Sequence, residues 1–528
     1  MSKGTYSVTT PIYYVNAAPH LGTAYTTIAA DVVSRYQRMN GYDVAFVTGM
    51  DEHGQKVADT AAAHGMTPQE WCDSMEPAFR DAWEMLDITY TDFVRTTEPR
   101  QAASVQKLWQ DLYDKGYLYK DSYDGWYCVH EETYYAESDL ERDEEGVFVC
   151  PDCKRPVQRA GGEENWFFRL SDFQQPLLEL YERRPEFIRP ETRRNEVVSF
   201  VAGGLKDLSI SRSTFDWGVP LPFDEGHVAY VWADALIAYM TGIGYADEAR
   251  GDEFECRWPF EYHFVGKDIT RFHCVIWPAM LMAAGLPVAH TVFGHGFLLT
   301  KGEKMSKSKG NALRPAELVD IFGVDAYRYY FMSDVQFGAD GSISIERMVQ
   351  VYNADLANTW GNLVSRVANM TKKYFDARVP APPASATDNP LRPLAEKLYA
   401  AYDEALALAD FTAAAQAVQG LAHRANEYME ESAPWALAKD PARADELAAV
   451  IYNALEAIRI IALFMQPFAP NTSTAVWHRL GLGDISAVDD IEAAAAWGQL
   501  PAGNAVEVGD PLFPRLDADK IGAAEGEK

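Results

Sequence analysis

The chain has 528 residues, 48% of them hydrophobic and 23% charged, enough for roughly two to four domains with cores of their own. A net charge of -30, from 77 acidic and 47 basic residues, argues against a general nucleic-acid binder but leaves room for a shaped, local contact to one RNA. No apolar run of about 18 residues reads as a membrane span. The N-terminus lacks the apolar core of a signal peptide and is poor in Arg, and six cysteines are too few for a disulfide scaffold. These features point to a cytoplasmic protein.

Residues 6–16 read as a strand and 24–39 as a helix with Ile28, Val32, Val33 and Tyr36 on one side. Residues 42–48 read as a buried strand. Strand, turn, helix and strand open a parallel α/β unit, and the second strand delivers Met50-Asp51-Glu52-His53-Gly54 to the crevice beyond the sheet, where such folds bind ligands. Helices follow to about residue 115. Residues 118–225, at first short-stranded and rich in Tyr, Asp and Glu with three cysteines, read as an insertion. The α/β pattern resumes as strands at 227–232, 263–268 and 291–296. From 351 the chain is helical, with Leu356, Trp360, Leu363, Val364, Val367 and Met370 at spacings of three and four, and helices over 391–438, 441–465 and 471–480. Residues 377–390 are a Pro-rich loop and 507–515 pack back on the bundle. The expected fold is α/β: a Rossmann-like parallel-sheet domain in two halves (1–117 and 226–299), the inserted domain, a contact region (300–350), a helical bundle (351–515) and a flexible tail (516–528).

His20 stands at the turn into the first helix, where free backbone N–H groups and the positive dipole end suit phosphates, and Gly22 lets the backbone come close. Alone, His20 is as well explained as a helix-start residue. Lys304, Lys307 and Lys309 lie with Ser306 in a glycine-flanked loop suited to closing over a triphosphate and neutralising charge as pyrophosphate leaves. A plain solvated basic loop explains Lys309 but explains Lys304 and Lys307 poorly in so acidic a chain. Cys72, Cys256 and Cys274 are scattered and read as core or partly buried thiols. Cys150-Pro151-Asp152-Cys153 makes a metal knuckle to which Cys128 adds a third thiolate.

Taken together, His20-Leu21-Gly22-Thr23 resembles the HIGH signature of class I aminoacyl-tRNA synthetases, and Lys304-Met305-Ser306-Lys307-Ser308 matches their KMSKS signature. The segments 13–16, 48–54, 231–236 and 264–269, with Asn362 and Arg366 one helical turn apart, narrow the resemblance to the methionyl-tRNA synthetase family over nearly the whole chain. Thr23 departs from the usual second His; a hydroxyl still hydrogen-bonds to phosphate or ribose but carries no positive charge.

The resemblance implies a fold with an anticodon-binding bundle. It also implies ATP-dependent activation of L-methionine to methionyl-adenylate, then transfer to the 3′ end of initiator and elongator tRNA(Met). His20, Thr23, Lys304 and Lys307 would be catalytic. Gly22, Gly266, Lys267, Asp268, Gly294, His295 and Ser306 would join them around ATP with Mg²⁺. Asp51 would hold the methionine ammonium. Ile12, Tyr14, Trp232, Ala235, Leu236, Tyr239, Ile269, His273 and Trp277 would line its side-chain pocket. Asn362, Arg366 and Trp435 would read the CAU anticodon, Trp435 by stacking, although Trp435 is also a plausible core anchor after Pro434. A structural Zn²⁺ on Cys128, Cys150 and Cys153 would be completed by His130 or Glu131; the alternative is a decayed site packed by Trp126, Tyr127 and Trp166. Without room for a dimerising C-terminal domain, a monomer is expected. The alternatives are another class I synthetase or a related nucleotidyltransferase. Residues 118–225 are too few for the large editing domain of the Ile, Val and Leu enzymes.

Overall fold

The computed structural model describes residues 3–517, apart from 130–132, 136, 144, 152, 301–302, 305–313, 384–385 and 387, and also residue 521. Its centre is a six-stranded parallel sheet. β1 (Thr5–Tyr14), β2 (Asp43–Asp51) and β3 (Asp92–Arg95) run outward on one side, and the strands Tyr262–Gly266, Thr291–His295 and Ile188–Arg189 on the other. Both faces are covered, so β1 and β2 are buried almost throughout, and the buried hydroxyls are paired: Ser7 with Arg257 O, Thr9 with His263 Nδ1 and Thr10 with Thr48. The order of the chain reverses between β1 and Tyr262–Gly266. There the carboxyl ends of adjacent strands splay apart into a crevice.

β1 feeds α1 (Leu21–Met39), which lies across the sheet with Ile28, Val32, Val33 and Tyr36 buried. The segment after residue 118 builds an antiparallel sheet around the long pair Leu118–Cys128 and Gln158–Phe168. The chain then returns to the main sheet, where Ile188–Arg189 forms its outer strand.

The apolar run at 227–232 does not resume the main sheet. Asp224–Ala229 pairs in a small antiparallel sheet, and Val231–Ala235 is already helical. A run apolar on every side fits a buried strand or a buried helix equally, and packing decides. The predicted helix 391–438 is likewise divided: Arg392–Ala407 and Phe411–Ser432 are separated by a turn at Ala409, with φ 54°, and Asp410 caps the second helix. Of the three scattered cysteines Cys72 and Cys274 are buried, whereas Cys256 is exposed.

The bundle forms around Ala444–Met465. This helix is apolar and long enough to cross a membrane by composition, but it is buried inside the protein. Phe513 from the tail packs on Tyr352 and Trp360. Arg328, fully buried, joins the bundle to the sheet domain: it donates to Asp31 Oδ2 of α1 (2.6 Å), to Leu86 O (2.9 Å) and to Pro467 O (2.9 Å).

Candidate active site

His20 is the N-cap of α1. Its Nδ1 accepts from Gly22 N (3.0 Å) and Thr23 N (3.3 Å), two of the helix's orphan donors. Thr23 completes a capping box, accepting from His20 N (2.9 Å) and donating to His20 O (2.7 Å). In the neutral ring an accepting Nδ1 assigns the proton to Nε2. A Cβ on Gly22 would stand 3.0 Å from the His20 ring, so glycine at this position makes room for the capping imidazole. The Thr23 hydroxyl, a candidate phosphate or ribose partner from the sequence, is here the clasp on His20.

Asp51 and Tyr14 end adjacent strands and are partners in register. Asp51 is buried, as is Ile12 behind it. β2 and β3 meet closely at Gly49, where a Cβ would lie 2.0 Å from Val94 O. Trp232 stands edge-on to Tyr14, with ring centroids 6.2 Å apart, and stacks on Phe272 at 3.8 Å. Tyr239 packs edge-on to Trp277, and its hydroxyl lies 2.6 Å from His273 Nε2. His273 Nδ1 lies 2.9 Å from Ile269 O and must donate to it, so Nε2 accepts from Tyr239. Burial lowers the His273 pKa to about 4, leaving the ring neutral. Ala235 and Leu236 are buried beside this cluster and Ile269 is half-buried. A π-helical turn at Phe272–Ile276 sets Phe272, His273 and Trp277 on it. The polar atoms of Tyr239 and His273 satisfy each other, so the wall offers mainly ring faces, a surface suited to a polarizable thioether.

The sequence alone did not reveal the contacts that hold the two residues after Asp51. His53 Nδ1 lies 2.5 Å from Asp234 Oδ2, and Gln101 Nε2 donates to Asp234 Oδ1 at 2.7 Å. Trp217 Nε1 donates to Glu52 O at 2.6 Å, and Glu52 pairs with Arg95. Phe272 was missed too, although it lies between Ile269 and His273 and its ring completes the stack on Trp232.

Across the crevice, Gly266 ends its strand where a Cβ would meet Asp268 Oδ1 at 2.4 Å, and Gly294 faces Thr270 equally closely. His295, expected as a wall for ATP, is buried with both ring nitrogens engaged: Nε2 with Thr26 Oγ1 (2.6 Å) and Nδ1 with Gly296 O (2.8 Å). It ties α1 to the strand end, and a ligand would reach a ring nitrogen only by displacing one of these partners. Lys267 Nζ is 2.7 Å from both carboxylate oxygens of Asp340. The lysine loop begins as a hairpin in which Lys304 pairs with Leu299. The Lys304 side chain and the residues Ser306 and Lys307 lie outside the described part of the structure.

The sulfurs of Cys128, Cys150 and Cys153 lie within 4.8 Å of one another, Cys128 and Cys153 at 3.5 Å. Three corners of a tetrahedral zinc thiolate site stand ~3.8 Å apart, so the trio fits that ion. Burial pushes the Cys153 thiol up to about 12, so its thiolate needs a cation beside it. His130 and Glu131 lie outside the described residues. At the far end of the bundle, Asn362 is exposed and Arg366 pairs with Glu430 at 2.7 Å. Trp435, five residues after Glu430, is 38% exposed, which favours a contact role over a core anchor. Arg424 is engaged by Glu427 and Glu431.

Two family models match: class I (M) tRNA synthetases over residues 6–163 and 158–368, and the anticodon binding domain of methionyl tRNA ligase over 381–525. The chain is 47% identical to a methionine–tRNA ligase of Streptomyces coelicolor over 97% of each chain. It is 46% identical to that of Caldanaerobacter subterraneus over 98% of this chain and 80% of the relative. Among solved structures, Mycobacterium tuberculosis methionyl-tRNA synthetase in complex with methionyl-adenylate superposes with a TM-score of 0.92, at 40% identity, covering 97% of this chain and all of the other.

Proposed function

The chain belongs to the methionyl-tRNA synthetase family, and from that premise we propose how its own residues divide the work. It is an ATP-dependent methionine–tRNA ligase. The methionine carboxylate attacks the α-phosphorus of ATP, pyrophosphate leaves, and the methionyl group passes from the adenylate to the 3′ end of tRNA(Met), releasing AMP. The match over 97% of the chain to an enzyme bearing methionyl-adenylate carries this conclusion.

Asp51 holds the substrate ammonium, since a cation drawn into a buried crevice needs a carboxylate there. Ile12, Tyr14, Trp232, Ala235, Leu236, Tyr239, Ile269, His273 and Trp277 enclose the thioether. Phe272 fixes the face of Trp232. His20 donates through Nε2 to a phosphate oxygen and Thr23 holds it in place. Gly22, Gly266, Lys267, Asp268 and Gly294 shape the ATP site and His295 braces it from beneath. Lys304 and Lys307 neutralise the departing pyrophosphate, and Ser306 binds ATP beside them through its hydroxyl. No side chain serves as general base; catalysis is positioning and electrostatics. Mg²⁺ arrives with ATP as its counter-ion. Charging of a tRNA(Met) transcript with a CAU anticodon, against the same transcript with that anticodon altered, tests the whole sequence. Equal charging of both would overturn the assignment of Asn362, Arg366 and Trp435 as anticodon readers.

We further propose that Cys128, Cys150, Cys153 and His130 hold one structural Zn²⁺. It would fix the inserted module and take no part in the reaction. Metal analysis should find one zinc per chain, and a metal-free active enzyme would refute the site. A cytoplasmic monomer is the state we assign. Among the described residues, the large exposed apolar side chains Met66, Phe200 and Leu394 are widely separated in the sequence, Met66 in the connection between two helices and the other two on separate helices. Light scattering tests it.

A further inference from the structure

Lys267 and Asp340 meet at the crevice mouth from elements far apart in the chain. Lys267 follows the strand end Gly266, and Asp340 precedes the short strand Gly341–Ile343, which runs parallel to Leu298–Thr300. The ammonium sits 2.7 Å from both oxygens of the Asp340 carboxylate, and one of them also accepts Phe297 N at 2.8 Å. Lys267 Nζ lies 4.5 Å from the centre of the Phe297 ring. The backbones are pressed together beside this contact, for a Cβ on Gly296 would come within 2.1 Å of Ala339 O. One carboxylate therefore gathers a lysine, a backbone N–H and, through that lysine, a ring face.

We propose that Asp340 is a positioning residue for adenylate formation, which fixes the Lys267 ammonium against Phe297 so that it faces ATP in one arrangement. This rests on the reading of Gly266, Lys267 and Asp268 as part of the ATP site. Asp340 is 38% exposed and Lys267 21%. An ion pair this accessible contributes little to stability, so the arrangement is better understood as orientation than as folding energy. A lysine held at both carboxylate oxygens and over a ring has lost the rotamer freedom that four rotatable bonds otherwise give it. That loss is then not incurred when ATP binds.

The test is Asp340→Asn, which keeps an acceptor for Phe297 N and removes the charge, beside Lys267→Met and the double variant. The readout is ATP–pyrophosphate exchange. Asp340→Asn should raise the KM for ATP about tenfold, leaving the KM for methionine and the thermal midpoint unchanged. Lys267→Met should do the same or more, and the double variant should equal Lys267→Met alone. If Lys267→Met raises the ATP KM and Asp340→Asn does not, Asp340 is not a positioning residue, although the ATP-site reading stands. If Lys267→Met has no effect on ATP, the reading of Lys267 fails and the proposal with it. A parallel loss of methionine affinity and stability in Asp340→Asn would show a structural role and overturn the proposal.

Discussion

His20 caps α1, and the phosphate role proposed for it is a second task that one substitution can separate from the first. Its Nδ1 caps α1 through Gly22 N and Thr23 N, while its Nε2 carries the proton assigned to phosphate. Alanine removes both functions. Asparagine places an oxygen near the position of Nδ1 and is among the best N-caps, but offers nothing at the reach of Nε2. Loss of the cap in His20→Ala should cost about 1 kcal/mol of stability, whereas His20→Asn should cost only a few tenths. Both lose one preorganised donor to charge developing on phosphate, about 2.7–4 kcal/mol, or roughly 10²–10³ in rate. Urea unfolding and methionine-dependent ATP–pyrophosphate exchange read the two effects separately. If His20→Asn exchanged within threefold of the parent enzyme, His20 would be a capping residue only, and the phosphate assignment would be wrong.

Three further outcomes follow from the geometry. In Asp31→Asn the buried Arg328 loses the carboxylate it pairs with at 2.6 Å, which should cost about 3–5 kcal/mol by chemical denaturation; a loss under 1 kcal/mol would contradict this. Burial alone would raise the Asp31 carboxyl, but Arg35, Arg328 and Thr89 outweigh it and hold the group well below its ordinary value. Its contribution is thus complete above about pH 4 and fades as pH falls further, so the variant's deficit should shrink in acid. His273, with its pKa lowered to about 4 by burial, should act over a different window. Between about pH 6.5 and 4 the unfolded chain holds a proton that the folded chain does not, so stability falls with pH by at most about 3 kcal/mol, and His273→Gln should flatten the slope. Trp435→Ala should lower kcat/KM for tRNA charging by roughly 5- to 150-fold, equivalent to about 1–3 kcal/mol of base stacking, and leave ATP–pyrophosphate exchange intact; equal loss in both assays would assign Trp435 to the core.

The sequence was most legible where a local pattern carries the physics. β1, α1 and β2 follow from a run rich in Thr, Tyr and Val, a 3.6-residue period and a buried strand-type run, and α1 begins three residues before the predicted start because the His20 cap lies outside the apolar period. Asp51 follows from a strand end in a parallel sheet, whereas Tyr14 was reached through the family resemblance. What remained hidden depends on contacts between distant segments. Nothing in Val231-Trp232-Ala233-Asp234 says that the aspartate meets His53 and Gln101, or that the run is helical. Nothing near residue 340 announces that a carboxylate there will hold Lys267. His295 looked like a ligand because it stands at a strand end among glycines; only the placement of Thr26 beneath it shows both nitrogens taken. The strand Ile188–Arg189 is two residues long, too short for any periodicity. The cysteine trio was legible as a knuckle plus one, since C-x₂-C spacing has few other uses, and the close approach of the three sulfurs bears out their grouping.

The central claim is that this crevice activates methionine. ATP–pyrophosphate exchange without tRNA, with methionine and with Ile, Val, Leu and Cys in parallel, tests it most directly. The account predicts strong exchange with methionine and at most weak exchange with the others. Absence of exchange with methionine, or exchange of comparable strength with leucine or isoleucine, would contradict the assignment of the Asp51 and Trp232 pocket.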